Sequence, residues 1–304
     1  MSNMGNMGNM GNMGNMGNMG DAGGAGVELM PDRIDLPFVA EAATEVWTLT
    51  GTTWTKSTAP PVILNTVRVK IAQWADEDWA AEWAAWLVVA EFAKTNWATA
   101  INLTPVLWDP AAEPDELTAL IRLAEDERGD ALGEILAQHA SYQDFMAYFV
   151  ALLKITPRTH PKTFQLGHVA GLVGILVAMY FKRYPGGGRP PRARASQICP
   201  ALVPPIAVPG HPSFPSGHAT RSMLMALCLG QAAKQQPDQA NHPGVWDPLL
   251  QGLSRRIARN REIAGLHFAT DSNAGFELAR QTYNVLATGA AFQSLLYDAQ
   301  QEWT

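Results

Sequence analysis

The sequence is short of charge. Of its 304 residues, 16% are Asp, Glu, Lys or Arg, against about 25% in average globular chains. The charge present sums to −6, so a basic face for nucleic acid is not expected. An apolar fraction of 47% excludes a chain disordered throughout. Cysteine is nearly missing. Cys199 and Cys228 make neither a disulfide framework nor a zinc cluster. No apolar run approaches the ~20 residues of a membrane span. The longest, Val169–Phe181, has 13, and it is read as a buried central helix, so no membrane span is expected. Nor does any segment alternate convincingly between apolar and polar residues as a half-buried strand does. The expected fold class is therefore all-α, a soluble helical bundle. The positive n-region and apolar h-region of a signal peptide are also lacking, which leads to the expectation of a cytoplasmic chain.

What is present divides into three parts. Residues 1–26 open with Asn-Met-Gly six times over. Without proline this cannot be a collagen-type repeat, and it is read as a disordered tail. Residues 27–134 form an N-terminal helical part packed on the core, with 31–65 read as an irregular arm or short helices. Trp79, Trp83 and Trp86 recur at helical spacing with Leu87 and Ala90, and this stripe is expected to be core. The Trp-rich half also leaves room for a homodimer. Residues 135–304 form a catalytic helical bundle, making one compact unit with the part before it. Gly167, Gly171 and Gly174 on the central helix imply close helix packing. Pro185–Pro215 holds nine prolines and reads as a long loop, the kind that carries function.

Three segments in this half carry chemistry. The first is Lys182–Arg183–Tyr–Pro–Gly–Gly–Gly–Arg189–Pro190. The second is His211–Pro–Ser–Phe–Pro–Ser216–Gly217–His218. The third is Asn260–Arg261–Glu–Ile–Ala–Gly–Leu–His267–Phe–Ala–Thr–Asp271. Arginine forks and a lysine bind anionic oxygens through charge-assisted hydrogen bonds. Ser216 adds a hydroxyl. If a helix opens at His218, its first N–H groups and dipole point at an anion, with Gly217 allowing close approach. The i, i+4 spacing of His267 and Asp271 lets the carboxylate hold one ring nitrogen and leave the other free to attack phosphorus. This inventory suits one task, the holding of a tetrahedral or bipyramidal oxyanion.

Lys-x6-Arg-Pro, Pro-Ser-Gly-His and Arg-x5-His-x3-Asp, in this order, resemble the three-part signature of the type-2 phosphatidic acid phosphatase and vanadium haloperoxidase superfamily. The resemblance covers about residues 135–285. It implies that Lys182, Arg189 and Arg261 grip equatorial oxygens with Ser216 and the Gly217 amide. His267 is then the nucleophile on phosphate or the ligand of vanadate, His218 the general acid and then base, and Asp271 the group that orients His267. Two departures stand out. Asn260 replaces the usual serine before Arg261, and Arg192 and Arg194 are close enough to take the place of Arg189.

The resemblance implies two chemistries. His211, seven residues before His218, resembles the algal bromoperoxidases, where a histidine lies beside vanadate on the halide and peroxide side. Gly-Leu-His-Phe-x-x-Asp-x-x-Ala-Gly resembles the secreted acid phosphatases. The favoured expectation is hydrolysis of a small-molecule phosphoric monoester through a phosphohistidine, with no cofactor. The alternative is oxidation of halide by peroxide with vanadate as cofactor, and a third reading is an inactive oxyanion-binding protein.

Overall fold

The structure, a computed structural model, describes residues 45–58, 79–104, 113–185, 191–234 and 246–304. The Asn-Met-Gly tail lies outside the described residues.

Contacts separate residues 80–304 from a second unit that ends at Trp79. In that second unit, β1 (Glu45–Thr50) and β2 (Thr53–Thr58) pair antiparallel, with Leu49 opposite Trp54. This corrects the expectation of an irregular arm or short helices and no strand. The turn between the strands has two residues, and its first, Gly51, has φ of 65°, the position where such hairpins favour glycine. β-Branched threonines flank it.

The larger unit is helical, as the fold class requires. Its helices are α1 (Ala81–Ala93), α2 (Trp97–Ala100), α3 (Glu113–Asp126), α4 (Arg128–Ala137), α5 (Tyr142–Leu153), α6 (Pro161–Arg183), α7 (Ala195–Ile198), α8 (Gly217–Ala233), α9 (Trp246–Ile263), α10 (Ala269–Leu286) and α11 (Ala290–Gln301). The N-terminal signal of α5 is explicit. Ser141 caps it, and Ser141 N–H donates back to Asp144 Oδ2 at 2.6 Å, a reciprocal cap. Pro161 opens α6 at its first position, where a missing N–H costs nothing.

α8 lies at the centre, with α6, α9 and α10 packed around it and α1 laid on α6. Its Met223, Leu224 and Cys228 are fully buried. The glycines of α6 act as expected. A Cβ on Gly171 would stand 2.3 Å from the Tyr142 ring, and one on Gly174 would stand 3.0 Å from Arg221 Cα. Only hydrogen fits at these crossings.

Two expectations are corrected here. The tryptophan stripe is not core: Trp79, Trp83 and Trp86 are about half exposed. α1 instead buries Ala85, Val88, Val89 and Phe92. Both faces of this helix are apolar, so periodicity alone could not choose between them, and the smaller residues pack closer to α6. The expectation that no segment is long enough to span a membrane also fails. α6 runs 23 residues, and an 18-residue stretch of it has a mean hydropathy of 1.7, with 67% of that stretch buried inside the bundle. At 1.5 Å per residue this is about 35 Å, enough to cross a bilayer core. The unbroken run Val169–Phe181 understated the helix, because isolated polar residues do not shorten it.

Candidate oxyanion site

The chemistry gathers at the N-terminal end of α8. Ser216 caps that helix, its side chain accepting from Ala219 N–H at 3.4 Å. Ser216 N–H donates to the Asp271 carbonyl at 3.0 Å, which ties the start of α8 to the first turn of α10. Gly275 makes this approach possible. A Cβ there would lie 2.7 Å from the Ser216 carbonyl oxygen. At Gly217 an added Cβ would meet only Ala178, at an ordinary contact distance of 3.9 Å, so this position is not crowded.

His267 sits just before α10, and Asp271 occupies the third position of that helix. Asp271 is fully buried and heavily used. Its Oδ2 accepts from Ser213 Oγ at 2.5 Å and from Phe268 N–H at 3.0 Å, and its Oδ1 accepts from Arg192 at 3.1 Å. His267 Nδ1 stands 3.5 Å from Oδ2 and 3.3 Å from Ser213 Oγ. On the far side of the ring, Arg194 Nη1 lies 3.3 Å from Nε2. A guanidinium can only donate, so Nε2 presents its lone pair and Nδ1 carries the hydrogen. Burial, above all, lowers His267 to about 3, only partly offset by the hydrogen bond with Asp271. For Asp271 burial pushes the other way, yet the hydrogen bond and charge of His267, then Arg192 and Ser213, hold it at about 2.

Around this pair stand cations that have few anionic partners. Lys182, at the end of α6, donates to the Pro212 and Ser213 carbonyls at 2.7 and 2.8 Å. Burial and then Arg194 lower it to about 7. Arg194 is 1% exposed. It bonds carbonyls of Pro209, His211 and Leu266, and its Nη2 lies 3.0 Å from His211 Nδ1. Arg261 is 2% exposed, and its Nε and Nη1 have no hydrogen-bond partner. Burial, then Arg194 and Arg221, lower it to about 9. An orphaned buried guanidinium is costly, and an oxyanion would satisfy it.

His218, the second histidine, is partly buried. Its Nε2 donates to the Gln138 carbonyl at 3.0 Å. Burial comes first, then Arg261 and Arg221, in pushing its pKa well down. The Asn260 departure has a place in this. Asn260 Nδ2 donates to Gln138 Oε1 at 3.0 Å and to Glu134 at 2.9 Å, which fixes the residue that holds His218.

The structure thus assembles Lys182, His211, Ser216, Gly217, His218, Arg261, His267 and Asp271 around one end of α8. Arg189 lies outside the described residues, and Arg194 is the arginine beside His267. Arg192 faces Asp271 instead. It also meets Glu116 at 2.5 Å and stacks 3.9 Å over the Phe268 ring. Glu116 Oε1 in turn accepts from Thr270 Oγ1 at 2.7 Å. Sequence reasoning missed Ser213, Arg221, Gln138 and Glu116. Ser213 lies within the second motif and Arg221 one helical turn after Gly217, so spacing offered a signal for both. Nothing local marks Gln138 or Glu116.

A histidine oriented by a carboxylate within a cluster of cations, on an all-α bundle, makes a candidate oxyanion-binding site. No protein-family model matches the chain. Over 90 residues it is 31% identical to the non-specific acid phosphatase of Salmonella typhi, a match covering 30% of this chain and 32% of that protein. The chain therefore spans about a third of the length of that curated relative. Among solved structures it is similar to the first transmembrane PAP2 type phosphatidylglycerolphosphate phosphatase from Bacillus subtilis, at 17% identity and a TM-score of 0.41, covering 68% of this chain and 94% of that one. The sequence likeness supports the resemblance to the type-2 phosphatidic acid phosphatase and acid phosphatase superfamily that the three motifs carry. The expectation of a cytoplasmic chain is overturned together with that of no membrane span, because α6 is long and apolar enough to cross a bilayer.

Proposed function

We propose that the protein hydrolyses phosphoric monoesters through a phosphohistidine on His267. The similarity to an acid phosphatase supports the reaction class. The observation that carries the mechanism is the state of His267: Nε2 offers its lone pair toward Arg194, while Nδ1–H faces Asp271 and Ser213. Lys182, Arg194 and Arg261 hold the phosphoryl oxygens, with the Gly217 N–H at the helix N-terminus. Nε2 attacks phosphorus, the P–O ester bond breaks, and the leaving oxygen takes a proton from His218. Water then attacks phosphorus, passing a proton back to His218, as the P–N bond to His267 Nε2 breaks and phosphate is released. Because the Gln138 carbonyl holds Nε2–H of His218, Nδ1 carries the transferred proton. The phosphate charge offsets Arg261, which otherwise disfavours protonation of His218. No metal is required for any of these steps.

One observation favours a second reading. His211 meets Arg194, which also touches His267 Nε2. The buried donors of Arg261 and the free Nε2 suit vanadate as well as phosphate. His267 would hold it, and it would supply the activation of peroxide for halide oxidation.

Both readings are tested on the purified full chain, with p-nitrophenyl phosphate and then with vanadate, peroxide and bromide on a halogenation dye. Phosphatase turnover that falls about 1000-fold or more in His267→Ala is expected. Full activity of that variant, or turnover in the second assay only, would refute the phosphatase mechanism.

A further inference from the structure

Arg221 is a cation that the mechanism above does not use. It lies on α8, one turn after Gly217, and its Nε donates to the Gly217 carbonyl at 3.3 Å. Its guanidinium stacks 5.2 Å from the Phe145 ring centroid. The His218 ring lies 5.3 Å from the same centroid. Phe145 therefore holds the proposed proton donor and Arg221 side by side. The stem of Arg221 passes where only Gly174 leaves room, its Cγ standing 2.8 Å from a Cβ built on that glycine. The side chain is thus built in, not draped over a surface. Its positive charge acts on Lys182, His211, His218 and Arg261 together. Among the described residues no carboxylate lies at ion-pair distance from it, and Tyr142 and the Asp144 carboxylate act on it only through space. Gly217, His218 and Arg221 are partly accessible, whereas Lys182, Arg194 and Arg261 are buried.

The position matters because His218 delivers its proton to the leaving oxygen. A cation beside His218 faces the leaving group, not the transferred phosphoryl group. If the leaving group were neutral, Arg221 would only make His218 harder to protonate. A negative group near the scissile oxygen would pair with Arg221 and remove that penalty. We propose that Arg221 is a second anion contact on the leaving-group side, and that the preferred ester carries a further anionic group, phosphoryl or carboxylate, close to the scissile oxygen. This rests on the phosphatase reading for the word ester. The second anion contact itself rests only on the geometry.

The test uses inorganic pyrophosphate and orthophosphate as probes, titrated calorimetrically into the full chain at fixed ionic strength. Wild type is expected to bind pyrophosphate at least tenfold tighter than orthophosphate. In Arg221→Gln that ratio should narrow to under threefold, while Arg221→Lys, which keeps the charge, should retain most of it. Circular dichroism melts establish that the variants fold. A wild-type ratio under threefold, or a ratio unchanged in Arg221→Gln, would overturn the proposal without any variant having to be active. On substrates, Arg221→Gln should lose at least tenfold more kcat/KM on a carboxylate-bearing aryl phosphate than on p-nitrophenyl phosphate, and equal losses would overturn it. Absence of hydrolysis with the binding ratio intact would refute the phosphatase reading and support the second anion contact.

Discussion

Replacing Asp271 by asparagine tests the centre of the site. The carboxylate accepts from Ser213, the Phe268 N–H and Arg192, and stands next to His267 Nδ1. An amide has one acceptor oxygen. Whichever way it turns, an N–H faces either Arg192 or the Phe268 N–H. The carboxyl pKa is held at about 2 against an ordinary 3.8. At about 1.4 kcal/mol per unit, the charged form contributes roughly 2 kcal/mol at neutral pH. Arg192 is then left buried beside an amide, which brings the expected loss to about 3–5 kcal/mol. Because the folded pKa lies below the unfolded one, this contribution is fully present above about pH 4 and is lost as pH falls toward 2. Urea unfolding of wild type and Asp271→Asn at several pH values measures it. The gap between them should stay constant from pH 8 to 4 and narrow below. Turnover should fall about 100-fold or more, since His267 loses the partner that sets its tautomer. A gap under about 1 kcal/mol at pH 7, or one that has closed by pH 5, would refute the reasoning.

Other outcomes follow from the same geometry. Arg261→Met removes a buried cation with two orphaned nitrogens. Without ligand the variant should be about 1–3 kcal/mol more stable, while phosphate should no longer raise its melting temperature. A destabilised variant that still responds to phosphate would contradict this. Lys182 is lowered to about 7, so at pH 8 it is mostly neutral in the empty site and charged once an anion binds. Phosphate binding at pH 8 should therefore take up about one proton, read by calorimetry in buffers of different ionisation enthalpy, and proton release would refute it. Gly275→Ala puts a methyl group 2.7 Å from the Ser216 carbonyl oxygen. A cost of about 1–3 kcal/mol is expected in thermal unfolding, with phosphate affinity falling as the link between α8 and α10 loosens. An unchanged melting temperature would show that the approach is not tight.

Much of the site was legible because its residues lie in short segments whose chemistry is local. Pro-Ser-Gly-His contains both a helix cap and the first turn it caps. His267 and Asp271 lie four apart, although they meet through a cap at the head of α10 and not along a helical face. Arg194 was visible only as an alternative to Arg189, since loop spacing does not show which guanidinium turns inward. Glu116 and Gln138 could not be found, because each matters only through a partner 76 or 80 positions away. The all-α class followed from period, whereas the hairpin did not. Its signal is a two-residue turn between threonines, too short to stand out from an irregular stretch. The tryptophan stripe misled for another reason. Period shows that a helix has an apolar face but cannot rank two such faces, and close packing against α6 favoured alanine and valine over indole.

The contact between Glu116 and Arg192 has a consequence for how such an enzyme could diverge. Glu116 lies in α3, a helix that carries none of the three motifs, yet it anchors the arginine that grips Asp271, which in turn stands beside His267. A substitution at Glu116 could therefore retune the basicity of His267 while every motif residue stays the same. Two relatives with identical signatures could then work best at different acidities, and the difference would be written in a helix that no signature search reads.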